Sequence, residues 1–586
     1  MFKLLKHMKK NEWLQIFTSF IFIVVQVWLD LKLPEYISEI TNVLQTPGSK
    51  MSALYLAGGK MLLCALGSFA ASVIVGYFVE RVAAAFSKRL RSLLFTKVDS
   101  FSMEEINRFS TSSLITRSTN DITQVQMIIA MGLQTMIKAP IMVAWAITKI
   151  WGKGFEWTAA TIVTLIIMLV VIALIMIFVM PKFRIIQSLI DNLNRVTREN
   201  LTGLKVVRAY NAEAYQEEKF ENASKELMDT QLYTNRGMAI MMPMMTALMS
   251  GLSLAIYWIG AYLINKAEAT YRLTLFSNMI VFSSYAMQVI MPFMMLVMIF
   301  IMLPRALVSA NRINEVLETE PTIIDGKVTE GKNGREGQIE FRNVSFKYPQ
   351  ASDYVLENIS FIANRGETVA FIGSTGSGKS TLISLIPRFY DTTEGEVLVD
   401  GVSVKEYEQE SLHNKIGYVP QKAVMFKGSI NSNVGYGDNG NKKSEQEDIK
   451  TGITIAQGSE FVGKMENKYN EEIAEGGTNL SGGQKQRLAI ARAVCRKPEI
   501  YIFDDSFSAL DYKTDRILRE TLKKETSGVT SLIVAQRIGT IMDADQIIVL
   551  DEGKIVGKGT HKELLKTCEV YKEIAMSQLS EEELIS

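Results

Sequence analysis

The sequence predicts two fused domains, an all-α domain with six transmembrane helices followed by an α/β domain. Three observations carry this prediction. Six long apolar runs lie before residue 305, the chain becomes polar after Pro304, and a glycine-rich loop joins a strand pattern to a helix pattern near residue 376. The 586 residues suffice for two large domains. We expect the first domain at residues 1–311, a linker at 312–338 and the second domain at 339–586.

Composition excludes several classes of protein. Lys and Arg total 63 against 62 for Asp and Glu, so the chain lacks the overall positive charge that attracts nucleic acid. The three cysteines, Cys64, Cys495 and Cys568, lie far apart and form no CxxC pattern. A disulfide framework and a structural zinc site are therefore both excluded.

Six runs are apolar enough to cross a membrane, whose hydrocarbon core of about 30 Å needs about 20 helical residues. The first run is short and ends at Trp28, before the charged Asp30 and Lys32. The basic opening MFKLLKHMKK precedes further runs and has no small-residue cleavage site. It predicts a short amphipathic helix on the inner membrane surface rather than a signal peptide. The runs occupy residues 13–29, 61–79, 122–148, 157–181, 237–265 and 273–304.

Basic residues indicate the orientation of these spans. Lys and Arg concentrate before the first run and in two long loops at 80–121 and 182–236. Because cytoplasmic segments carry the excess of Lys and Arg, both termini are predicted to lie in the cytoplasm. The long loops keep a helical period, which predicts that the spans continue into the cytoplasm as helices.

Two features of the apolar half have open interpretations. Lys138 interrupts the third run, and a charge at membrane depth is a functional-site candidate. A helix that starts deep in the cytoplasm would instead let Lys138 reach the inner headgroups. Thirteen of the 30 methionines fall in the last two runs. Such flexible side chains suit a promiscuous apolar binding surface, and they equally suit ordinary core packing or lipid contact.

The second half predicts a parallel sheet with helices between its strands. Residues 312–338 have the composition of a helix end followed by a loose linker. Short apolar runs typical of buried strands come after it: IEFRNVSF, TVAFIG, KIGYVP, EIYIFDD, SLIVAQ and QIIVLDEG.

The strongest motif is GxxxxGKS at residues 373–380, between the strand TVAFIG and the helix TLISLIPRFY. In this context it predicts a P-loop, in which glycines let the backbone wrap phosphate groups, Lys379 reaches the β- and γ-phosphates and Ser380 can hold Mg²⁺. Asp504 ends a second hydrophobic strand and supplies the carboxylate expected to hold the metal, directly or through water. We therefore predict an α/β P-loop nucleotide-binding domain that uses ATP and Mg²⁺.

Further motifs make a resemblance specific. LSGGQ at residues 480–484, followed by KQRLAIARA, resembles the signature motif of ATP-binding cassette (ABC) proteins, although alone it would be an ordinary serine-capped helix start. Tyr348 in FKYP, Gln421 in YVPQK and Asp511 in SALD match the adenine-stacking aromatic residue, the Q-loop and the D-loop of that family. Together with six upstream spans, the chain is similar to a half-transporter of the ABC exporter class over almost its whole length.

The resemblance implies a set of site residues and a second chain. In such proteins the signature helix caps the γ-phosphate of ATP held by the opposite domain, so one domain offers half of each site. Short helices near residues 108–113 and 210–213 would dock on the nucleotide domains near Gln421. Metal binding is expected from Ser380, Gln421 and Asp504. Nucleotide binding is expected from Tyr348, Gly373, Ser374, Thr375, Gly376, Ser377, Gly378, Lys379, Ser380, Thr381, Gln421, Ser481, Gly482, Gly483, Gln484 and Asp511.

Two catalytic positions depart from the family pattern. Asp505 stands where the family usually has the Glu that orients the attacking water, and Gln536 stands where it usually has His. Asp is one methylene shorter than Glu, and a displacement of about 1 Å can cost on the order of 10²-fold in rate. Gln536 can donate a hydrogen bond to phosphate but cannot change protonation as His does. We expect a degenerate site in a heterodimer whose partner carries Glu and His; an active homodimer is the alternative.

The expected function is ATP-driven export of amphipathic drugs or lipids across a bacterial plasma membrane. The alternatives are a gating subunit that binds ATP with little turnover, and an exporter of one specific peptide or lipid. No protease domain or catalytic Cys/His pair precedes the first run, which disfavours a peptidase-type peptide exporter. A soluble ATPase is disfavoured because six spans would then have no role.

Overall fold

The computed structural model describes residues 1–45, 50–151, 154–349, 351–437 and 444–579. The chain forms two compact units. The first comprises Met1–Asp99 and Ser112–Thr319, and the second comprises Ser100–Thr111 and Glu320–Ser586. A short piece from the first half of the sequence therefore belongs to the second unit.

The first half of the chain is helical, and the last helix includes residues 312–318 of the expected linker. A π-helical turn at Arg117–Asp121 separates the fifth and sixth helices. The helices are α1 (Phe2–Leu5), α2 (Lys10–Gln45), α3 (Met51–Asp99), α4 (Met103–Phe109), α5 (Thr111–Thr116), α6 (Ile122–Ile150), α7 (Phe155–Thr202), α8 (Leu204–Ala209), α9 (Glu213–Lys266) and α10 (Ala269–Glu318).

The prediction of six transmembrane helices is confirmed. In the described part of the chain, six helical segments are long and apolar enough to cross a membrane. Each predicted run lies inside one helix, and α3, α7 and α9 extend far beyond their runs, as the helical period of the long loops predicted. The basic N-terminal segment forms α1, a helix of a single turn, and the start of α2. The six segments are Lys10–Leu44, Met51–Asp99, Thr111–Ile150, Phe155–Thr202, Glu213–Lys266 and Tyr271–Pro292.

The first span is longer than its apolar run, and Asp30, just past the end of that run, is paired. Ser68 Oγ donates a hydrogen bond to Asp30 Oδ1 at 2.5 Å, and Lys138 Nζ lies 3.2 Å from Asp30 Oδ2. The side chains of Lys138 and Asp30 are 26% and 21% exposed. Paired charges cost much less in apolar surroundings than isolated ones, so the pair lowers the cost of keeping both charges partly buried. Lys138 thus forms an ion pair that links α6 to α2.

One apolar core joins the six long helices of the first unit. Trp157 of α7 is fully buried in this core, and its Nε1 donates a hydrogen bond to the carbonyl oxygen of Ile256 at 3.1 Å. The methionines of the last two spans divide between two environments. Met245 and Met279 are buried in the core, whereas others are exposed, namely Met242, Met244, Met291 and Met295.

Helix α4 lies in the second unit and begins at a capping box. Ser102 and Glu105 form the box, with the Ser102 N–H donating to Glu105 Oε2 at 2.8 Å. Glu105 Oε1 also accepts the N–H of Thr322 at 3.0 Å, and Asn107 Nδ2 donates to the hydroxyl of Tyr390 at 2.9 Å. The short helix expected near 108–113 therefore lies at 103–109, because the cap sets its start. The short helix expected near 210–213 lies a few residues earlier, as α8, and residues 210–212 form the turn between α8 and α9.

The prediction of an α/β second domain is confirmed. In the described residues, a four-stranded antiparallel sheet has the order β2-β1-β4-β5, a six-stranded sheet has the order β12-β11-β3-β10-β9-β6, and β7 pairs with β8. The strands are β1 (Ile339–Phe346), β2 (Leu356–Ala363), β3 (Thr368–Gly373), β4 (Glu394–Val399), β5 (Val402–Ser403), β6 (Ile416–Val419), β7 (Gly428–Ser429), β8 (Glu472–Ile473), β9 (Ile500–Asp504), β10 (Thr530–Val534), β11 (Gln546–Asp551) and β12 (Lys554–Gly559).

The six-stranded sheet positions the predicted site. Its strands β11, β3, β10, β9 and β6 run parallel, and β12 pairs antiparallel with β11. The carboxyl ends of parallel strands meet at one edge, where α/β proteins usually bind ligands. The helices around the sheets are α11 (Lys379–Ser384), α12 (Gln409–Asn414), α13 (Ile430–Val434), α14 (Gln446–Ile455), α15 (Ser459–Lys464), α16 (Gly482–Cys495), α17 (Tyr512–Glu525), α18 (Ile538–Ile541), α19 (His561–Thr567) and α20 (Glu569–Gln578).

Candidate nucleotide-binding site

The GxxxxGKS segment forms a tight loop between β3 and α11. Gly376 and Gly378 have φ angles of 88° and 94°, in the left-handed region that favours glycine. A Cβ atom on Gly378 would also lie 2.7 Å from a methyl group of Leu356. The loop conformation therefore requires glycine at these positions. Gly373 ends β3, and Ser374, Thr375 and Ser377 complete the loop.

Lys379 folds back over this loop. Its ammonium group donates hydrogen bonds to the carbonyl oxygens of Gly373 and Ser374, at 2.9 and 2.7 Å, and to Ser377 Oγ at 3.2 Å. Burial lowers the pKa of Lys379. Its present acceptors are neutral, and a charged phosphate oxygen would accept a stronger hydrogen bond. The loop therefore presents a cation to any anion that binds there.

Ser380 and Asp504 are adjacent at the edge of the sheet. Ser380 Oγ donates a hydrogen bond to Asp504 Oδ1 at 2.7 Å, and burial raises the pKa of Asp504. Mg²⁺ in nucleotide sites usually takes one or two protein oxygens together with phosphate oxygens and water. This hydroxyl and carboxylate fit that donor set. Among the described residues, no group of three or more His, Cys, Asp or Glu side chains could hold a metal ion by itself.

Asp505 and Gln536 are in direct contact. Gln536 Nε2 donates a hydrogen bond to Asp505 Oδ2 at 2.7 Å, and Gln421 Nε2 donates to the same oxygen at 3.3 Å. Asp505 is 7% exposed and has a left-handed φ of 46°. Burial raises the pKa of Asp505, and the hydrogen bonds from Gln421, Ser508 and Gln536 oppose that effect. Two amides therefore fix the carboxylate between the ends of β6 and β10.

Tyr348 lies in an aromatic cluster beside the P-loop helix. Its ring meets those of Phe346 and Tyr390 edge-on, with centroids 5.0 and 5.3 Å apart. Its hydroxyl shares a 2.9 Å hydrogen bond with Thr381 Oγ1. Tyr348 is thus held near the P-loop, although it does not line the adjoining cavity.

The LSGGQ segment forms the start of α16. Ser481 caps this helix in a capping box with Gln484, whose Oε1 accepts the Ser481 N–H at 2.9 Å. Gly482 and Gly483 form its first turn, and a Cβ atom on Gly483 would lie 3.4 Å from the carbonyl oxygen of Ala509. Asp511 caps α17 by accepting the N–H of Thr514 at 3.0 Å. These residues lie outside the cavity formed by the P-loop.

One cavity brings together most of the other predicted residues. Sequence reasoning missed two of its lining residues, Val355 and Val534. Val534 ends β10 shortly before Gln536, so the strand pattern could have indicated it, whereas Val355 carries no sequence signal. The predicted residues that line the cavity are Thr375, Gly376, Gly378, Lys379, Ser380, Thr381, Gln421, Asp505 and Gln536.

Comparison with known proteins gives a consistent result for both halves of the chain. Residues 16–303 match the family described as ABC transporter transmembrane region, and residues 356–508 match the family described as ABC transporter. An uncharacterized ABC transporter ATP-binding protein of Mycobacterium tuberculosis is 40% identical over 523 residues, which cover 89% of this chain and 87% of that protein. An ATP-dependent lipid A-core flippase of Pseudomonas putida is 31% identical over 504 residues, which cover 85% of this chain and 81% of the flippase.

A solved structure, that of a bacterial Atm1-family ABC exporter with ATP bound, has the same fold. The TM-score is 0.77 at 23% sequence identity, over 96% of this chain and 98% of that one. The six apolar helices, the α/β domain with its P-loop and the family matches agree with one another. The chain therefore belongs to the ABC transporter family, as a multi-pass membrane protein that fuses one transmembrane region to one ATP-binding domain.

Proposed function

We propose that this chain is one half of a heterodimeric ABC exporter that uses ATP to move amphipathic drugs or lipids out across a bacterial plasma membrane. The contact between Gln536 and Asp505 carries the proposal. Asp505 is shorter than the Glu usual in the family, and its carboxylate is tethered to two protein amides. Gln536 also lacks the protonation change of a histidine. A cavity with these side chains binds ATP and hydrolyses it slowly.

The remaining residues of the cavity are assigned by their chemistry. The P-loop amides and Lys379 bind phosphate oxygens, and Tyr348 stacks on the adenine. Ser380, Asp504 and Gln421 hold Mg²⁺, whose charge offsets that of the phosphates. Gln536 donates its hydrogen bond toward the γ-phosphate, while Asp505 holds the amide of Gln536 in place.

The signature segment serves the partner subunit. The intact capping box of Ser481 and Gln484 leaves the start of α16 ordered, with Gly482 and Gly483 free of bulky side chains. A helix start with free N–H groups attracts phosphate, so this segment completes the competent ATP site of the partner. Asp511 holds the adjoining segment by capping α17. One chain therefore supplies a slow site and half of a fast one.

The amphipathic substrate class is supported by the transmembrane unit and by a relative. Flexible methionines such as Met242, Met244, Met291 and Met295 are exposed on α9 and α10, where they can adapt to ligands of different shape. A relative at 31% identity is named for moving lipid A-core. The Lys and Arg content of the long loops supports an orientation with both termini in the cytoplasm.

ATP hydrolysis by the chain alone, and then in complex with a second half-transporter, tests the proposal. We expect near-zero turnover alone and robust turnover in the pair, stimulated by a fluorescent amphipathic dye or by lipid. Replacing the catalytic Glu of the partner by Gln should abolish turnover. Asp505→Asn should lower it by less than about 2-fold, because the slow site contributes little to the measured rate.

Two results would contradict the proposal in different ways. Vigorous hydrolysis by the isolated chain would refute the heterodimer and make a homodimer the working description. A pair that hydrolyses ATP but responds to neither dye nor lipid would refute export and favour a gating subunit. Lys379→Ala is the matched control for Asp505→Asn, since it removes the main phosphate-binding cation from the slow site alone.

A further inference from the structure

We propose that Gln578 is a positioning residue of the nucleotide cavity and that it acts through Gln536. Gln578 is the last residue of α20. Its Oε1 accepts the N–H of Ile538 at 2.8 Å, and its Nε2 donates to the carbonyl oxygen of Gln536 at 2.8 Å. A single amide therefore binds the backbone on both sides of Arg537. The inference rests on the proposed role of Gln536 at the γ-phosphate.

The segment that Gln578 holds is neither strand nor helix. Residues 535–537 join β10 to α18 without regular secondary structure. Helix α18 is a single turn, and its N-cap residue, Arg537, makes no side-chain capping bond. The first N–H groups of a helix have no partner within the helix. Gln578 Oε1 supplies that missing acceptor for Ile538 from a distant part of the chain.

Helix α20 is anchored well enough to act as a support. Tyr571 and Ala575 are fully buried in an apolar cluster that also contains Ile372 and Ile538. The hydroxyl of Tyr571 lies 2.7 Å from His561 Nδ1, inside the same cluster. The end of α20 is therefore fixed relative to β3 and to the segment after β10.

A continuous series of contacts leads from Gln578 to the cavity. Gln578 fixes the backbone of Gln536, and Gln536 Nε2 donates to Asp505 Oδ2 at 2.7 Å. Without Gln578, the Gln536 backbone can shift and its amide no longer points reliably into the cavity. Gln578 is itself exposed at the surface, so its replacement removes no side chain from the apolar core.

The test compares the affinities of ATP and ADP at this chain's own cavity. Competition by MgATP or MgADP against photolabelling with 8-azido-ATP, read from the band of this chain, separates its cavity from that of any partner. Gln578→Leu should weaken MgATP binding by about 3- to 10-fold, the effect of losing one hydrogen bond, that of Gln536 to the γ-phosphate. MgADP binding should not change, because ADP lacks the γ-phosphate. General disruption of the domain would weaken both nucleotides.

A double substitution tests whether Gln578 acts through Gln536. In a Gln536→Ala background, Gln578→Leu should weaken MgATP binding no further, because the residue it positions has lost its amide. Met576→Ala is the matched control, as Met576 is exposed on the same helix and should leave both affinities unchanged. If Gln578→Leu does not fold, Gln578→Glu serves instead. Its carboxylate accepts from Ile538 but cannot donate to Gln536, so it should weaken MgATP binding selectively.

The measurements distinguish a wrong role for Gln578 from a wrong role for Gln536. Unchanged MgATP affinity in Gln578→Leu, with weakened affinity in Gln536→Ala, would overturn the inference and leave the role of Gln536 standing. Additive losses of MgATP affinity in the variant with both substitutions would also overturn the inference. Unchanged affinity in Gln536→Ala would refute the proposed contact of Gln536 with the γ-phosphate, and the role of Gln578 with it.

Discussion

At the scale of single residues, the cavity holds two buried carboxylates side by side. Asp504 and Asp505 are 6% and 7% exposed, and burial raises the pKa of each. A raised pKa in the folded state means that the ionised carboxylate is less stable there than in the unfolded chain. The resulting loss in the free energy of unfolding is absent below the pKa that the carboxyl group has in the unfolded chain. It grows as the pH rises through the pKa in the folded state and is constant above it. The nucleotide-free protein therefore carries an electrostatic strain at neutral pH that a bound cation would relieve.

Asp505→Asn should raise the thermal stability of the nucleotide-free protein at pH 7.5. Asn removes the buried charge and keeps an oxygen that can accept the amides of Gln421 and Gln536. The gain in apparent Tm should shrink as the pH is lowered, because the raised pKa of Asp505 lets it take up a proton at a higher pH than an ordinary Asp. Differential scanning fluorimetry at a series of pH values measures both effects.

Asp511→Asn is the matched control for this prediction. Asp511 is exposed, and its hydrogen bond with the Thr514 N–H lowers its pKa. Its charge therefore stabilises the fold at neutral pH, and its replacement should change the apparent Tm in the opposite direction. A lower Tm for Asp505→Asn at pH 7.5, or a difference that does not depend on pH, would contradict the account.

At the scale of elements, the sequence contains the cap of α4, although the expected bounds of 108–113 do not reflect it. The pattern Ser102-x-x-Glu105 is a capping box, and it would have placed the start of α4 at Met103. The P-loop, by contrast, was located to the residue because its glycines and lysine have a fixed spacing. Gln578 carried no signal, since it meets Gln536 across 42 residues of chain. Local patterns therefore predicted the elements, and tertiary contacts supplied the rest of the site.

Glu105→Ala should loosen α4 without unfolding the unit around it. The substitution removes the capping box and the bond from the Thr322 N–H. Losing an N-terminal cap costs about 1 kcal/mol, so amide hydrogen exchange in α4 should accelerate by roughly 5-fold. Glu104→Ala is the control, because it leaves the capping box intact. The amides of α4 should then exchange at the rate of the parent protein. Equal exchange in Glu105→Ala and the parent protein would show that the cap does not hold this helix.

The ion pair between α2 and α6 gives a second prediction at this scale. Lys138→Met leaves Asp30 without its cation and should destabilise the transmembrane unit by about 1–3 kcal/mol, less than for a fully buried pair. Combining it with Asp30→Asn removes the orphaned charge and should recover part of the loss. Apparent unfolding temperatures in detergent measure the four members of this cycle. Additive losses would mean that the two charges do not stabilise each other.

At the scale of the whole molecule, the order of the two domains followed directly from hydropathy. The change near Pro304 separated six spans from an α/β domain, and the structure has that arrangement. The assignment of residues 100–111 to the second unit could not be predicted in this way. That assignment depends on contacts of Glu105 and Asn107 with residues more than 200 positions away. Hydropathy describes each segment by itself and contains no information on such partners.

The membership of residues 100–111 in the second unit bears on how such a gene can be divided. The chain passes between the units three times, after Asp99, after Thr111 and after Thr319. A gene split after codon 319 would leave α4 encoded with the membrane half, while Thr322 and Tyr390 would be encoded with the other. The two expressed fragments would then keep a native recognition element, so gene fission at this position would produce a complementing pair and not two independent modules.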